Sequence, residues 1–188
     1  MEPIKLKVCG ITRACDAEAC GELGVDYCGF VFHPQSPRYI APEAAGAIRT
    51  IPLRVGVFTS HDADEILRTV ATARLDYVQL HAGQSDEVAR RIGPERVIRV
   101  FLPGMKRDAF AVETAFELYD AGYGTGKVCD WTALPETGRY FAAGGLTPAN
   151  IPELLKIRRP FGLDVNSGVE SAPGVKDRNL IRQVKELV

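Results

Sequence analysis

The sequence predicts an α/β protein built on a parallel sheet, and three observations carry that reading. Eight apolar, strand-like runs recur along the chain. Polar, helix-prone segments separate most of them. No linker, low-complexity stretch or shift in composition divides residues 1–188, so a single domain is expected. The runs are 4–9, 27–32, 53–58, 77–80, 97–101, 116–119, 140–143 and 161–165. The helix-like segments are 14–23, 42–50, 62–73, 85–92, 106–113, 148–156 and 178–187. The stretch after Asp120 fits worst, with only a short helix near 130–134. Eight such units fit a closed β/α barrel, and they also fit an open doubly wound sheet. As a barrel, 188 residues would be compact, with short loops.

The first run ends in Cys9-Gly10, and a polar segment with Asp16 and Glu18 follows. This reads as a strand that carries a thiol to its C-terminal end, where barrel enzymes place their chemistry. The second run holds Cys28 and leads into Phe32-His33-Pro34-Gln35-Ser36-Pro37-Arg38-Tyr39. Two prolines stiffen that loop. Arg38 there is either a two-pronged ligand for a carboxylate or phosphate, or a solvated surface arginine.

The fourth run ends in Gln79-Leu80-His81. His81 either meets a ligand or is a hydrogen-bonded structural histidine; His33 and His61 carry less signal. Ser85-Asp86-Glu87 places a cap and acids at a helix start. The sixth run ends at Asp120, a carboxylate placed for general acid or base work. Gly122-Tyr123-Gly124-Thr125-Gly126-Lys127 follows. A Walker loop would need Gly and Ser or Thr where Ala121 and Val128 stand, and G-x-G-x-G is not the dinucleotide spacing. The segment reads as a mobile loop over the site, or as a turn with no ligand contact.

The seventh run opens onto Gly144-Gly145-Leu146 and then Thr147-Pro148, a cap with proline at the first helical position. The eighth ends in Asp164-Val165-Asn166-Ser167-Gly168. Glycine N–H groups and helix starts attract anions, and barrels commonly bind phosphate after strands seven and eight. Together these loops point to a phosphorylated ligand; the alternative is that the glycines only serve tight turns.

Composition narrows the partners. The net charge is −1 with no basic cluster, which gives no reason to expect nucleic acid. No apolar stretch is long enough to span a bilayer, and Met1-Glu2-Pro3-Ile4-Lys5 lacks a signal pattern, so a cytoplasmic location is expected. The five cysteines, Cys9, Cys15, Cys20, Cys28 and Cys129, are odd in number with no C-x-x-C pair. That argues against a disulfide framework or a zinc site, and for free thiols packed as small hydrophobes. Cys9 is the exception because of where its strand ends.

K-V-C-G-I-T, G-F-V-F-H-P-Q-S-P-R-Y-I, V-G-V-F, V-Q-L-H, G-T-G-K-V-C-D-W, A-G-G-L-T-P-A-N-I and D-V-N-S-G-V-E-S-A-P-G-V-K-D occur in this order from residue 7 to about residue 177. In combination they resemble the phosphoribosylanthranilate isomerase family of tryptophan biosynthesis. The resemblance implies a compact single-domain (β/α)8 TIM barrel and a metal-free, cofactor-free Amadori rearrangement. The substrate would be N-(5-phosphoribosyl)anthranilate and the product 1-(2-carboxyphenylamino)-1-deoxyribulose 5-phosphate. It further implies Cys9 as general base and Asp120 as general acid, with Asp130 the fallback acid. Arg38 would take the anthranilate carboxylate. Gly144, Gly145, Ser167 and Gly168 would hold phosphate, and His81 and Asp164 would line the site.

The expected partner is the small phosphoribosyl substrate, without nucleic acid or membrane, for a monomer or homodimer. Three departures stand out. Asn166 replaces a family serine but can still hydrogen-bond, so phosphate binding is expected to survive. Only five residues separate Asp120 from Gly126. His81 is followed by Ala82-Gly83 rather than directly by glycine. A dual isomerase serving histidine synthesis as well would carry aspartate at Cys9. A barrel that binds phosphate without chemistry is the non-enzymatic alternative.

Overall fold

A computed structural model of the chain describes residues 3–59, 62–81, 85–120 and 131–188. The strands β1 (Lys5–Val8), β2 (Tyr27–Val31), β3 (Leu53–Phe58), β4 (Tyr77–Leu80), β5 (Val97–Phe101), β6 (Phe116–Asp120), β7 (Tyr140–Ala143) and β8 (Gly162–Val165) pair in parallel in sequence order. Pairing of β1 with β8, Lys7 opposite Asp164, closes the barrel and rules out the open sheet. An antiparallel pair, β9 (Glu170–Ala172) and β10 (Val175–Lys176), follows β8.

Strand period explains the two faces. On β1, Leu6 and Val8 join the apolar layer that includes Ala17 and Ile181 of the surrounding helices. Lys7 and the following Cys9 point the other way, into the barrel, where Lys7 meets Asp164. Aromatic residues plug the N-terminal end of the barrel. Tyr27 and Phe141 pack edge to face at 5.4 Å between centroids, and Phe116 stacks on Phe161 at 5.0 Å. Arg139 lies 4.6 Å over the Phe161 ring and seals the plug with a cation–π contact.

The helices are α1 (Ala14–Glu22), α2 (Pro42–Ala47), α3 (Ala63–Ala73), α4 (Asp86–Ile92), α5 (Ile151–Ile157) and α6 (Arg178–Lys185). Side-chain caps fix three starts: Asp62 accepts from Glu65 N–H, Ser85 from Val88 N–H, and Asp177 from Asn179 and Leu180 N–H. Arg54 of β3 fastens the ends of two helices to the barrel. It donates to Ala45 O at 2.5 Å, Ile48 O at 2.8 Å and Ala73 O at 2.9 Å while its guanidinium lies 4.5 Å over Phe30. Among the described residues no helix is long and apolar enough to cross a membrane.

Two helix expectations need correction. Residues 106–113 make only a 3-10 turn, Arg107–Ala109. Asp86 of α4 accepts from Ala111 and Val112 N–H, and Phe110 packs edge-on against Phe101, so tertiary contacts hold the segment out of a helix. The seventh-loop helix begins at Ile151, not at Pro148. Thr147 and Asn150 hydrogen-bond to each other's backbone N–H and use up the start signal in a preceding turn. The glycine-rich loop, Cys129 and Asp130 lie outside the described residues. Cys9, Cys15, Cys20 and Cys28 are free thiols, and all but Cys15 are buried.

Candidate active site

The C-terminal ends of the strands open into a cavity of about 490 Å³. Apart from Asp130, which lies outside the described residues, the ten residues singled out from the sequence line it, because each sits at or just beyond a strand end. Cys9 enters from β1, Arg38 from the loop after β2, and His81 directly follows β4. Asp120 closes β6, the Gly144-Gly145 turn follows β7, and Asp164 with Asn166, Ser167 and Gly168 comes from β8 and its loop.

Close packing fixes the two most exacting positions. A Cβ on Gly29 would lie 2.7 Å from Cys9 Sγ, so the thiol occupies space that only glycine on β2 leaves open. A Cβ on Gly168 would lie 1.9 Å from Leu146 O, so the loops after β7 and β8 touch backbone to backbone. Gly144 and Gly145 both have positive φ, 100° and 65°. This conformation suits glycine and turns backbone N–H groups out of the sheet pattern.

The charges around Cys9 are buried. Lys7, fully enclosed, donates to Asp164 Oδ2 at 2.8 Å, and its ammonium also faces Cys9. Burial alone would lower the Lys7 pKa, but Asp164 and Cys9 outweigh it and hold the ammonium above its ordinary value. Burial pushes the Cys9 thiol up, against the pull of Lys7 and Lys176. A thiol serves most readily as a base when its pKa lies near neutrality, and this environment shifts Cys9 the other way. Burial also raises the Asp164 carboxyl, with Lys7 opposing. Asp164 Oδ1 and Gln79 Oε1 are buried without a hydrogen-bond partner among the described residues, and both side chains line the cavity. Asp120 Oδ2 lies 3.8 Å from His81 Nε2.

Arg38 is neither solvated nor free. Its Nε and Nη2 grip Glu170, at 2.9 Å to Oε1 and 2.6 Å to Oε2. Sequence reasoning missed Lys7, Gln79, Glu170 and Lys176. Lys7 was within reach, since it shares the inward parity of Cys9 two residues on. His33, discounted from sequence, also lines the cavity, with Nδ1 2.9 Å from Thr59 Oγ1.

A thiol, carboxylates and buried cations at the mouth of a closed barrel can take and give protons on an anionic ligand. Fold and site together define an acid/base barrel enzyme. The family model for N-(5′-phosphoribosyl)anthranilate isomerase matches residues 6–186, so the chain belongs to this family and is an isomerase of tryptophan biosynthesis.

Particular relatives agree. The N-(5′-phosphoribosyl)anthranilate isomerase of Desulfovibrio desulfuricans is 42% identical, over 92% of this chain and 89% of that one. The crystal structure of the Thermus thermophilus enzyme superposes with a TM-score of 0.84 at 36% identity, covering 97% of each chain. A phosphoribosylanthranilate isomerase crystallised with reduced 1-(o-carboxyphenylamino)-1-deoxyribulose 5-phosphate superposes with a TM-score of 0.83 at 33% identity, over 98% of this chain and 97% of that one.

Proposed function

We propose that Cys9 and Asp120 are the acid/base pair with which this chain converts N-(5′-phosphoribosyl)anthranilate to 1-(2-carboxyphenylamino)-1-deoxyribulose 5-phosphate. The observation that carries the reading is the convergence of Cys9, Asp120, Arg38 and both glycine loops on one cavity, large enough for a substrate of this size.

Asp120, as the acid, gives its proton to the ribose ring oxygen. The C1′–O bond breaks while the anthranilate nitrogen lone pair forms a C1′=N bond, giving an open-chain Schiff base. The Cys9 thiolate then takes the proton from C2′. The C–H electrons form C1′=C2′, and the resulting enolamine tautomerises to the ketone. Lys7 faces the sulfur as it becomes negative, so its ammonium stabilises the thiolate. Asp164 orients Lys7 through Oδ2 and lines the site.

Arg38 binds the anthranilate carboxylate. Gly144, Gly145, Asn166, Ser167 and Gly168 hold the phosphate, largely through backbone N–H groups. His81 contacts Asp120 and helps line the site.

The test is the loss of anthranilate fluorescence as substrate is consumed, in wild type and in Cys9→Ala, Asp120→Asn and Asp130→Asn. The first two should lose about 10²–10⁴-fold in kcat. Full activity in Cys9→Ala would sink the mechanism. Loss in Asp130→Asn with Asp120→Asn intact would transfer the acid role. Turnover of the ribosyl substrate of histidine synthesis would broaden the activity to that of a dual isomerase.

A further inference from the structure

The grip on Arg38 defines a second layer beneath the substrate. Glu170 takes Nε and Nη2 side-on, and its Oε1 also accepts from Lys176 Nζ at 2.7 Å and from Gly174 N–H at 3.1 Å. Lys176 Nζ continues to Asn166 Oδ1 at 2.9 Å. The Glu170 and Lys176 side chains are 4% and 0% exposed and do not reach the cavity surface, whereas Arg38 does.

A guanidinium has two bidentate edges, Nε/Nη2 and Nη1/Nη2. Glu170 occupies the first, which leaves the end-on edge for a carboxylate in the cavity. Glu170 by itself would cancel the charge of Arg38 and repel that carboxylate. Lys176 restores the balance, so the trio carries one net positive charge. Burial opposes ionisation of Glu170, but its bonds to Arg38, Lys176 and Gly174 hold it below the ordinary glutamate range. The floor leaves no slack either: a Cβ on Gly10 would lie 2.7 Å from Arg38 Cδ.

We propose that Glu170 is a positioning residue for the isomerisation: it turns the end-on edge of Arg38 toward the carboxylate of the anthranilate ring, with Lys176 neutralising its charge. This rests on Arg38 being the carboxylate ligand. Glu170→Gln keeps an amide oxygen for Lys176 but loses the carboxylate fork.

The experiment measures kcat and KM, together with competitive inhibition by anthranilate and by inorganic phosphate, in wild type, Glu170→Gln, Arg38→Ala and the double variant. Glu170→Gln is expected to raise KM and the anthranilate constant about tenfold, the scale of one charged hydrogen bond. It should leave kcat and the phosphate constant within about twofold of wild type, because Asn166 keeps its Lys176 bond. In the Arg38→Ala background the same substitution should add nothing.

The inference is overturned if Glu170→Gln leaves the anthranilate constant unchanged while Arg38→Ala raises it, if both inhibitors weaken equally, or if the Glu170→Gln effect persists in full without Arg38. If Arg38→Ala itself leaves the anthranilate constant unchanged, the ligand role of Arg38 falls, and the inference with it. Should Glu170→Gln not fold, Glu170→Asp shortens the same grip and is held to the same outcomes.

Discussion

Gly29→Ala should silence the thiol without replacing a residue that meets substrate. The added Cβ would stand 2.7 Å from Cys9 Sγ, 3.2 Å from its Cβ and 3.0 Å from its Cα. Comfortable contacts lie at roughly 3.5–4.0 Å, so the sulfur must retreat by about 1 Å. The backbone cannot give way cheaply, because Cys9 N–H is bonded to Val165 O at 2.8 Å and Ile11 N–H to Gly29 O at 2.9 Å. Overpacking of this kind costs about 1–3 kcal/mol, which lowers Tm by about 2–12 °C in a chain of this size. A 1 Å displacement of a proton-abstracting atom costs about 100-fold in rate. Fluorescence-monitored turnover, run well below the reduced Tm, should therefore show kcat down about 100-fold and KM little changed. Adding Cys9→Ala removes the nearest clashing atom and should recover part of the lost Tm. Undiminished kcat in Gly29→Ala with an unchanged Tm would refute the argument that Gly29 makes room for the thiol.

Other consequences are open to measurement. Arg54→Ala removes a donor from three helix-end carbonyls, of which Ala45 O keeps the Ile48 N–H, and should cost about 3–5 kcal/mol, read as a drop in Tm with turnover at low temperature retained. Burial sets the Cys9 pKa above the ordinary thiol value of 9.0, so the kcat/KM limb that belongs to Cys9 should lie on the alkaline side of 9; a limb near pH 7 assigned to Cys9 would contradict this. Lys7→Met removes the cation facing the thiol, so it should lower kcat/KM at neutral pH and move the alkaline limb higher, with the inorganic phosphate inhibition constant unchanged.

The strands were legible because a parallel barrel strand is buried on both faces and reads as a short apolar run. Closure was not, since it depends on β1 finding β8 more than 150 residues away, a pairing that no local pattern encodes. The segment 106–113 shows propensity losing to tertiary contacts: Asp86 and Phe101 hold it to the barrel wall. Which strand-end residues line the cavity was legible from position alone. Their supporting charges were not. Lys7, Glu170 and Lys176 are buried, where composition argues that lysine and glutamate seldom go. Each is tolerable only because of partners distant in sequence: Lys7 with Asp164, Glu170 with Arg38 and Lys176. Arg38 illustrates the limit most clearly. Its residue type fitted either an anion ligand or a solvated surface arginine, but the first carboxylate it meets belongs to the chain itself.

With Cys9 in its proposed role as base, these buried charges also bear on how a thiol serves there although burial disfavours the thiolate. A base whose pKa lies above that of its acid partner works from the minority protonation state, in which the acid keeps a proton and the base has lost one. The population of that state does not change between the two pKa values, because each gain in thiolate with rising pH is matched by a loss of protonated acid. Lys7 and Lys176 act on the height of that plateau: each lowers the cost of the thiolate, and neither needs to bring it to neutrality. A strong base is the return, since a sulfur that holds its proton tightly also takes one from carbon more readily. Asp164 ties the arrangement to the fold. It is the residue opposite Lys7 in the β1–β8 register, so the contact that closes the barrel is also the one that aims the ammonium at the thiol.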